Sequence, residues 1–386
     1  MNEQERVSLA PDERDRLVRQ FMDFVQIDSP TGEEGAFMRA LAAELSGLGL
    51  SVSNDGSGAN GVGNLLAVLS GTDPGAAPIF LAMHMDTVEP GRGIKPRIED
   101  GVIKSDGTTI LAADDKAAIA ATLAAVRHLQ AAKAPHGDVE LLFTWGEERG
   151  LNGSRAFDTT RLRSRFGFIP DGTGPLGTIV TRAPYQQTLN ATFLGRAAHA
   201  GVEPEKGISA IVAAAKAIAS MPLGRIDPET TANVGRISGG TARNAVPERV
   251  QLEGEARSLD KAKLERQVAA MTAAMETGAR EVGAQVEMNW YSQYEGYHFG
   301  DDEPSVRISV AAARAQGHPT VITSTGGGSD ANNFAGKGLR AVVLATGGYN
   351  AHSTQEHISV PDLADLAAYI IALILESARQ VRVAGR

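Results

Sequence analysis

A chain of 386 residues with no cysteine, 42% hydrophobic and 22% charged residues is globular in composition and longer than one core usually supports, so two domains are expected. A formal charge of −9, with no cluster of Lys and Arg, excludes a nucleic-acid footprint, and the missing cysteine excludes disulfides, thiolate metal ligands and a Cys nucleophile. The N-terminal stretch is charged where a signal peptide needs an apolar core, and no segment offers about 18 consecutive apolar residues, so a cytoplasmic chain without a membrane partner is expected.

In chain order, Leu17, Phe21, Phe24 and Val25 recur at helical spacing, as do Phe37, Leu41, Leu45 and Leu48 after "SPTGEEG". Four short apolar runs follow, "NLLAVL", "PIFLAM", "VELLFTW" and "RFGFIP", with the Ala-rich helical stretch "DKAAIAATLAAVRHLQ" between the second and third. These read as buried strands covered by helices. From about Ala183 the texture changes to an alternating run, "QQTLNATFLG", a helix near "ISAIVAAAKAIASM", two strand-like runs, a long helix after Asp260 and "AQVEMNWYSQ". Helix and strand alternation then resumes with "PSVRISVAAARAQG", "PTVITS", "LRAVVLAT" and a last helix. The expected fold is an α/β domain over 1–182 and 296–386, with an α+β insert at 183–295.

"GSGANG" fits a dinucleotide-binding fingerprint and is the sole support for a nucleotide-dependent oxidoreductase. That fingerprint must follow a strand and open a helix, whereas "VGNLLAVL" after it reads as a strand, so a hairpin turn is expected. "TGGGSDANNF" lacks the Lys-Ser/Thr of a phosphate-binding loop, and His128, His136, His298 and His318 show no ligand pattern.

Five other residues share one pattern. His84 ends "FLAMH", with Asp86 two positions on; Asp114 opens the Ala-rich helix beside Asp115; Glu147 and Glu148 follow "LLFTWG"; Asp171 ends "GFIPD"; His352 follows "LRAVVLAT". Each has an ordinary alternative: a helix cap for Asp114, an Asp-Gly turn for Asp171, a solvated turn for the glutamates. Together His84, Asp114, Glu148, Asp171 and His352 fall at or after buried strands, where open α/β sheets form their ligand crevice. Two His and three carboxylates without sulfur suit two divalent ions, zinc first, with one carboxylate bridging. Glu147 is then left to act as a base.

These spaced motifs, above all "MHMDTVEPG" and "SDGTTILAADDKAA", resemble the dizinc exopeptidases and deacylases that include peptidase T, carboxypeptidase G and the aminoacylases, and look most like the peptidase T branch. The resemblance covers nearly the whole chain. It implies a catalytic domain with a central mixed sheet flanked by helices, an inserted lid, and aminopeptidase action on tripeptides. N-acyl amino acid deacylation or carboxypeptidase action is the alternative within the fold, and relatives with aspartate at the position of Asp171 tend to be aminopeptidases. It further implies that His84, Asp114 and Asp171 hold one metal and Asp114, Glu148 and His352 the other, that Glu147 is the general base, and that Asp86 orients His84. A cis peptide between Asp114 and Asp115 is also implied. In the lid, "GRAAHAG" nominates His199 as the residue that reaches the substrate carbonyl, and "GGTARNAVPE" and "GEARSLD" nominate Asn244 and Arg257 as anchors for a substrate carboxylate, Asn244 assisting Arg257. A homodimer formed through the lid is compatible with the resemblance.

Overall fold

A computed structural model describes residues 6–382 as two compact units. The first comprises 6–181, 298–324 and 329–382, and the second 182–297 with 325–328.

In the first unit the main sheet runs Ser51–Asn54, Leu65–Leu69, Val139–Thr144, Ile79–His84, Phe166–Gly172, Arg340–Ala345, Thr178–Ala183. Val139–Thr144, Ile79–His84, Phe166–Gly172 and Arg340–Ala345 are mutually parallel, and the strands flanking them are antiparallel. Ile79–His84 and Val139–Thr144 are buried at every residue, as parallel strands covered on both faces must be. Helix Ala113–Ala132 packs on strands Ile79–His84 and Phe166–Gly172, and helices Pro11–Val25 and Val360–Gln380 pack on that helix. Ala113–Ala132 is buried along most of its length, and its small side chains let the neighbouring helices approach. The loop containing "GSGANG" joins the antiparallel strands Ser51–Asn54 and Leu65–Leu69, as the hairpin reading expects.

A second, small antiparallel sheet has no counterpart in the sequence reading. It runs Gly348–Tyr349, His357–Ser359, Val102–Lys104, Arg97–Glu99. Tyr349 pairs with His357, and His357 with Lys104, so residues 350–356 form the end of a hairpin docked beside the segment that leads to Ala113–Ala132.

The second unit is an antiparallel sheet in the order Gly224–Asp227, Thr230–Gly239, Arg249–Ser258, Tyr185–Leu194, Gln285–Tyr291. Helices Ala210–Ser220 and Lys261–Glu281 cover it, and Leu189, Phe193, Ala213, Ala217, Met271 and Met275 lie in its core. A Cβ at Gly278 would lie 2.6 Å from the Ala217 backbone nitrogen, so glycine sets the helix separation. Residues 325–328 of the glycine-rich segment also belong here, although the change in texture ends near 295. Thr325 donates to the Arg182 carbonyl, Arg257 donates to the Gly326 carbonyl, and a Cβ at Gly328 would sit 2.3 Å from the Tyr294 ring. Such long-range closures leave no local signal. Among the described residues no helix is long and apolar enough to cross a membrane.

Candidate metal centre

His84 ends its strand in register with Thr144, so the loop that follows Thr144 places Glu147 and Glu148 beside it. Asp171 lies near the end of the next parallel strand, Phe166–Gly172, and Arg340–Ala345 leads into the hairpin whose end carries His352. The carboxyl ends of four parallel strands thus converge. Asp114 arrives from the start of Ala113–Ala132. The backbone is not helical at Asp114 or Asp115, and the Asp114 side chain turns to the histidines. The Asp114–Asp115 peptide is cis.

His84 is buried, and its Nδ1 lies 2.9 Å from the Asp86 carbonyl oxygen. A carbonyl only accepts, so Nδ1 carries the proton and Nε2 of the neutral ring presents a lone pair. That Nε2 faces Asp114 Oδ1 at 2.9 Å and Asp171 Oδ1 at 3.5 Å. The other oxygen of Asp114, Oδ2, lies 3.4 Å from His352 Nε2, which is 3.0 Å from Glu148 Oε1. One carboxylate therefore stands between two imidazoles. His352 is 54% exposed against 2% for His84, so the cluster opens to solvent on the His352 side.

The electrostatics has one cause. Burial pushes Asp171 up to about 7, and burial together with Asp171 raises Glu147 and Asp115. Hydrogen bonds to Asp114 and Glu148 pull His352 up to about 10. His84 also rises, because hydrogen bonds to Asp114, Asp171 and Asp86 outweigh the burial that opposes its charging. Carboxylates that resist ionising beside imidazoles that gain protons mark more negative charge than the protein neutralises. A lone pair aimed at carboxylate oxygens asks for a cation between them, and oxygen and nitrogen donors without sulfur suit divalent zinc. The residues fit a metal pair. Asp115, which the resemblance singles out only for its peptide bond, joins the cluster with His84 and Asp171, and its Oδ2 accepts from the His84 backbone N–H at 3.2 Å.

Three buried carboxylates hold the loops that carry these groups. The resemblance makes Asp86 the partner of the His84 ring; its Oδ1 lies 3.5 Å from Nδ1, beside the closer backbone carbonyl at 2.9 Å. The Asp86 carboxylate also accepts from the Glu147 N–H at 2.9 Å, the Glu148 N–H at 3.2 Å and the Thr31 hydroxyl at 2.7 Å. Glu34 Oε1 accepts from the N–H groups of Gly32 and Gly146, each at 3.0 Å. Three successive N–H groups, from Gly146 to Glu148, are thereby fixed by two carboxylates. Glu356 accepts from Leu111, Ala112 and Asp114. Glu34 lies in "SPTGEEG" and Glu356 in "STQEH", and neither has ligand spacing that could have revealed it.

In the second unit His199 is exposed and pairs with Ala245, while the Ala200 N–H donates to the Asn244 carbonyl at 2.9 Å, so His199 and Asn244 are neighbours. Arg257 is not with them. Strand Arg249–Ser258 begins near the Asn244 loop and carries Arg257 at its far end, paired with Gln186. Eight residues at about 3.3 Å each separate Arg249 from Arg257 by ~26 Å. Within one unit Asn244 therefore does not assist Arg257. The guanidinium of Arg257 is also engaged, with Nε and Nη2 each 3.0 Å from the Glu255 carboxylate and Nη1 3.3 Å from the Gly326 carbonyl.

This fold and this cluster define a class, and residues 80–376 match the peptidase family M20/M25/M40. The chain belongs to that family and is a metallo-exopeptidase. It is similar to the crystal structure of aminopeptidase PepT from Bacillus cereus ATCC 10987, at 46% identity and a TM-score of 0.87 over 95% of this chain and 99% of that one. A tripeptidase from Staphylococcus aureus subsp. aureus mu50 superposes with a TM-score of 0.90 at 38% identity, with the same coverage of both chains. The uncharacterized protein YqjE of Bacillus subtilis (strain 168) is 43% identical over 94% of this chain and 99% of its own length.

Proposed function

We propose that this chain is an aminopeptidase acting on tripeptides, with His84, Asp114 and Asp171 holding one zinc ion and Asp114, Glu148 and His352 a second. The observation that carries the metal reading is Asp114, whose two oxygens face the Nε2 atoms of two histidines, one of which must present a lone pair. The substrate reading is supported by the likeness to an aminopeptidase and a tripeptidase over 95% of the chain.

Two such ions would supply Lewis acidity to the scissile carbonyl and to the attacking water. Glu147 supplies the proton traffic. Its carboxylate is buried beside the proposed ligands, where it can take a proton from water and return it to the leaving amine. Its main chain cannot drift, because its own N–H is bonded to Asp86.

His199 and Asn244 serve the substrate carbonyl, and Arg257 its terminal carboxylate. An extended tripeptide spans about 10 Å, less than the ~26 Å between Arg249 and Arg257. One insert therefore does not supply both ends. This separation supports a homodimer formed through the inserted unit, in which a second copy provides the missing group.

The test is a substrate panel on protein of known metal content. Two equivalents of zinc, and release of the N-terminal residue from free tripeptides, are expected. Preferential cleavage of N-acyl amino acids would replace the reading with a deacylase, and full activity in metal-free protein would overturn the centre. Light scattering should give twice the chain mass.

A further inference from the structure

Glu356 is 2% exposed and lies outside the proposed ligand set. Its carboxylate accepts three backbone N–H bonds, all from one short stretch: Leu111 at 2.8 Å and Ala112 at 2.7 Å on Oε2, and Asp114 at 2.9 Å on Oε1. These N–H groups lie in the stretch that leads into helix Ala113–Ala132, where Asp114 and Asp115 depart from helical φ/ψ. Buried N–H groups outside a regular helix need an acceptor from elsewhere in the chain. Ala112 also stands at φ 63, ψ 34, a left-handed conformation that residues with a Cβ avoid. The stretch that delivers Asp114 is thus held in a shape its own residues disfavour, by a carboxylate 242 positions further on.

The same carboxylate follows His352 by four residues and directly precedes the strand His357–Ser359, whose pairing with Val102–Lys104 fixes its place. One hairpin end therefore brings an imidazole to within 3.4 Å of Asp114 Oδ2 and tethers the backbone N–H of that same aspartate. We infer that Glu356 is a positioning residue of the metal centre, setting the separation of Asp114 and His352 by tying together the two backbone segments that carry them. This inference rests on the two-ion reading of the site.

Glutamine cannot do the same work. Its amide has one acceptor oxygen and one NH2, so it satisfies either the Leu111 and Ala112 pair or Asp114, never both. Two N–H groups outweigh one, so in Glu356→Gln the amide oxygen stays with Leu111 and Ala112, and the Asp114 N–H is left facing a donor. The helix start survives and the damage falls on Asp114.

The experiment measures zinc affinity without turnover, by competition with a chromophoric chelator, on the full chain stripped and reloaded. Wild type should take up two equivalents. Because Asp114 serves both ions, Glu356→Gln should bind the pair about 10-fold to 100-fold more weakly, the scale on which groups supporting a ligand act. A variant that binds both ions within threefold of wild type overturns the inference and leaves Glu356 as a brace of the local backbone alone. A wild type that takes up no zinc overturns the two-ion reading itself. Where Glu356→Gln folds poorly, adding Ala112→Gly lets the stretch hold its left-handed turn without strain. The zinc deficit should persist in that double variant, and wild-type affinity there overturns the inference equally.

Discussion

Asp86→Asn separates two roles for one carboxylate. In the structure Oδ1 accepts from the Glu147 N–H at 2.9 Å, while Oδ2 accepts from Glu148 at 3.2 Å and from the Thr31 hydroxyl at 2.7 Å. Asparagine keeps one acceptor. Its better orientation holds the shorter Glu147 bond and puts NH2 at the Oδ2 position, where the Thr31 hydroxyl turns to accept but the Glu148 N–H has no such freedom. A buried donor left unmet costs about 1–3 kcal/mol. If ~2 kcal/mol of this appears in the transition state as a displaced loop, kcat/KM falls on the order of 30-fold. His84 keeps its orientation, because the Asp86 backbone carbonyl holds Nδ1 and is untouched by the change. The assay is steady-state hydrolysis of a tripeptide with zinc measured in the same sample. Loss of activity with both ions retained is expected. Loss of zinc with unchanged rate per bound ion would refute the argument and return Asp86 to the His84 ring.

Glu147→Gln should lower turnover by at least ~100-fold with zinc content unchanged, since only the base is removed; near-normal turnover would remove Glu147 from the reaction. Glu255 occupies the Arg257 fork, so Glu255→Ala should lower KM for free-acid tripeptides while Arg257→Ala raises it or lowers kcat/KM, by ~30-fold for a bond of about 2 kcal/mol. Both effects should vanish with C-terminally amidated peptides, and equal effects on acids and amides would show that Arg257 does not read a carboxylate. For Glu34, whose Oε1 alone holds Gly32 and Gly146, Glu34→Gln should stay close to wild type and Glu34→Ala should lose at least ~10-fold in kcat, the cost of an unmet buried donor of about 1.4 kcal/mol. Equal losses would separate Glu34 from the loop.

Four of the residues that meet at the centre, His84, Glu148, Asp171 and His352, were legible because they come after runs of buried strand, and parallel strands bring their carboxyl ends to one edge. His84 and Asp171 needed only that pattern. Asp114 is harder to read, since an aspartate at a helix start is most often a cap. Only the non-helical backbone at Asp114, whose N–H is held by Glu356, shows why its side chain turns to the histidines instead. Glu34 and Glu356 escaped because they bind main-chain N–H groups, which every residue has, across 112 and 242 positions. The small sheet that seats His352 is built from pieces of two or three residues, too short for alternation to show. The distance between Asn244 and Arg257 depends on strand register, and motif order along the chain does not contain it.

His352 meets Glu148 across 204 positions, with the whole inserted unit between them in the chain. On the two-ion reading, a chain still on the ribosome would carry the glutamates without a finished centre, because the hairpin end that bears His352 and Glu356 is made long after them. The same spacing makes the activity vulnerable to proteolysis at a distance: a single cut in the insert, far from any proposed ligand, divides the centre between two fragments, and hydrolysis survives only for as long as the main sheet keeps them paired.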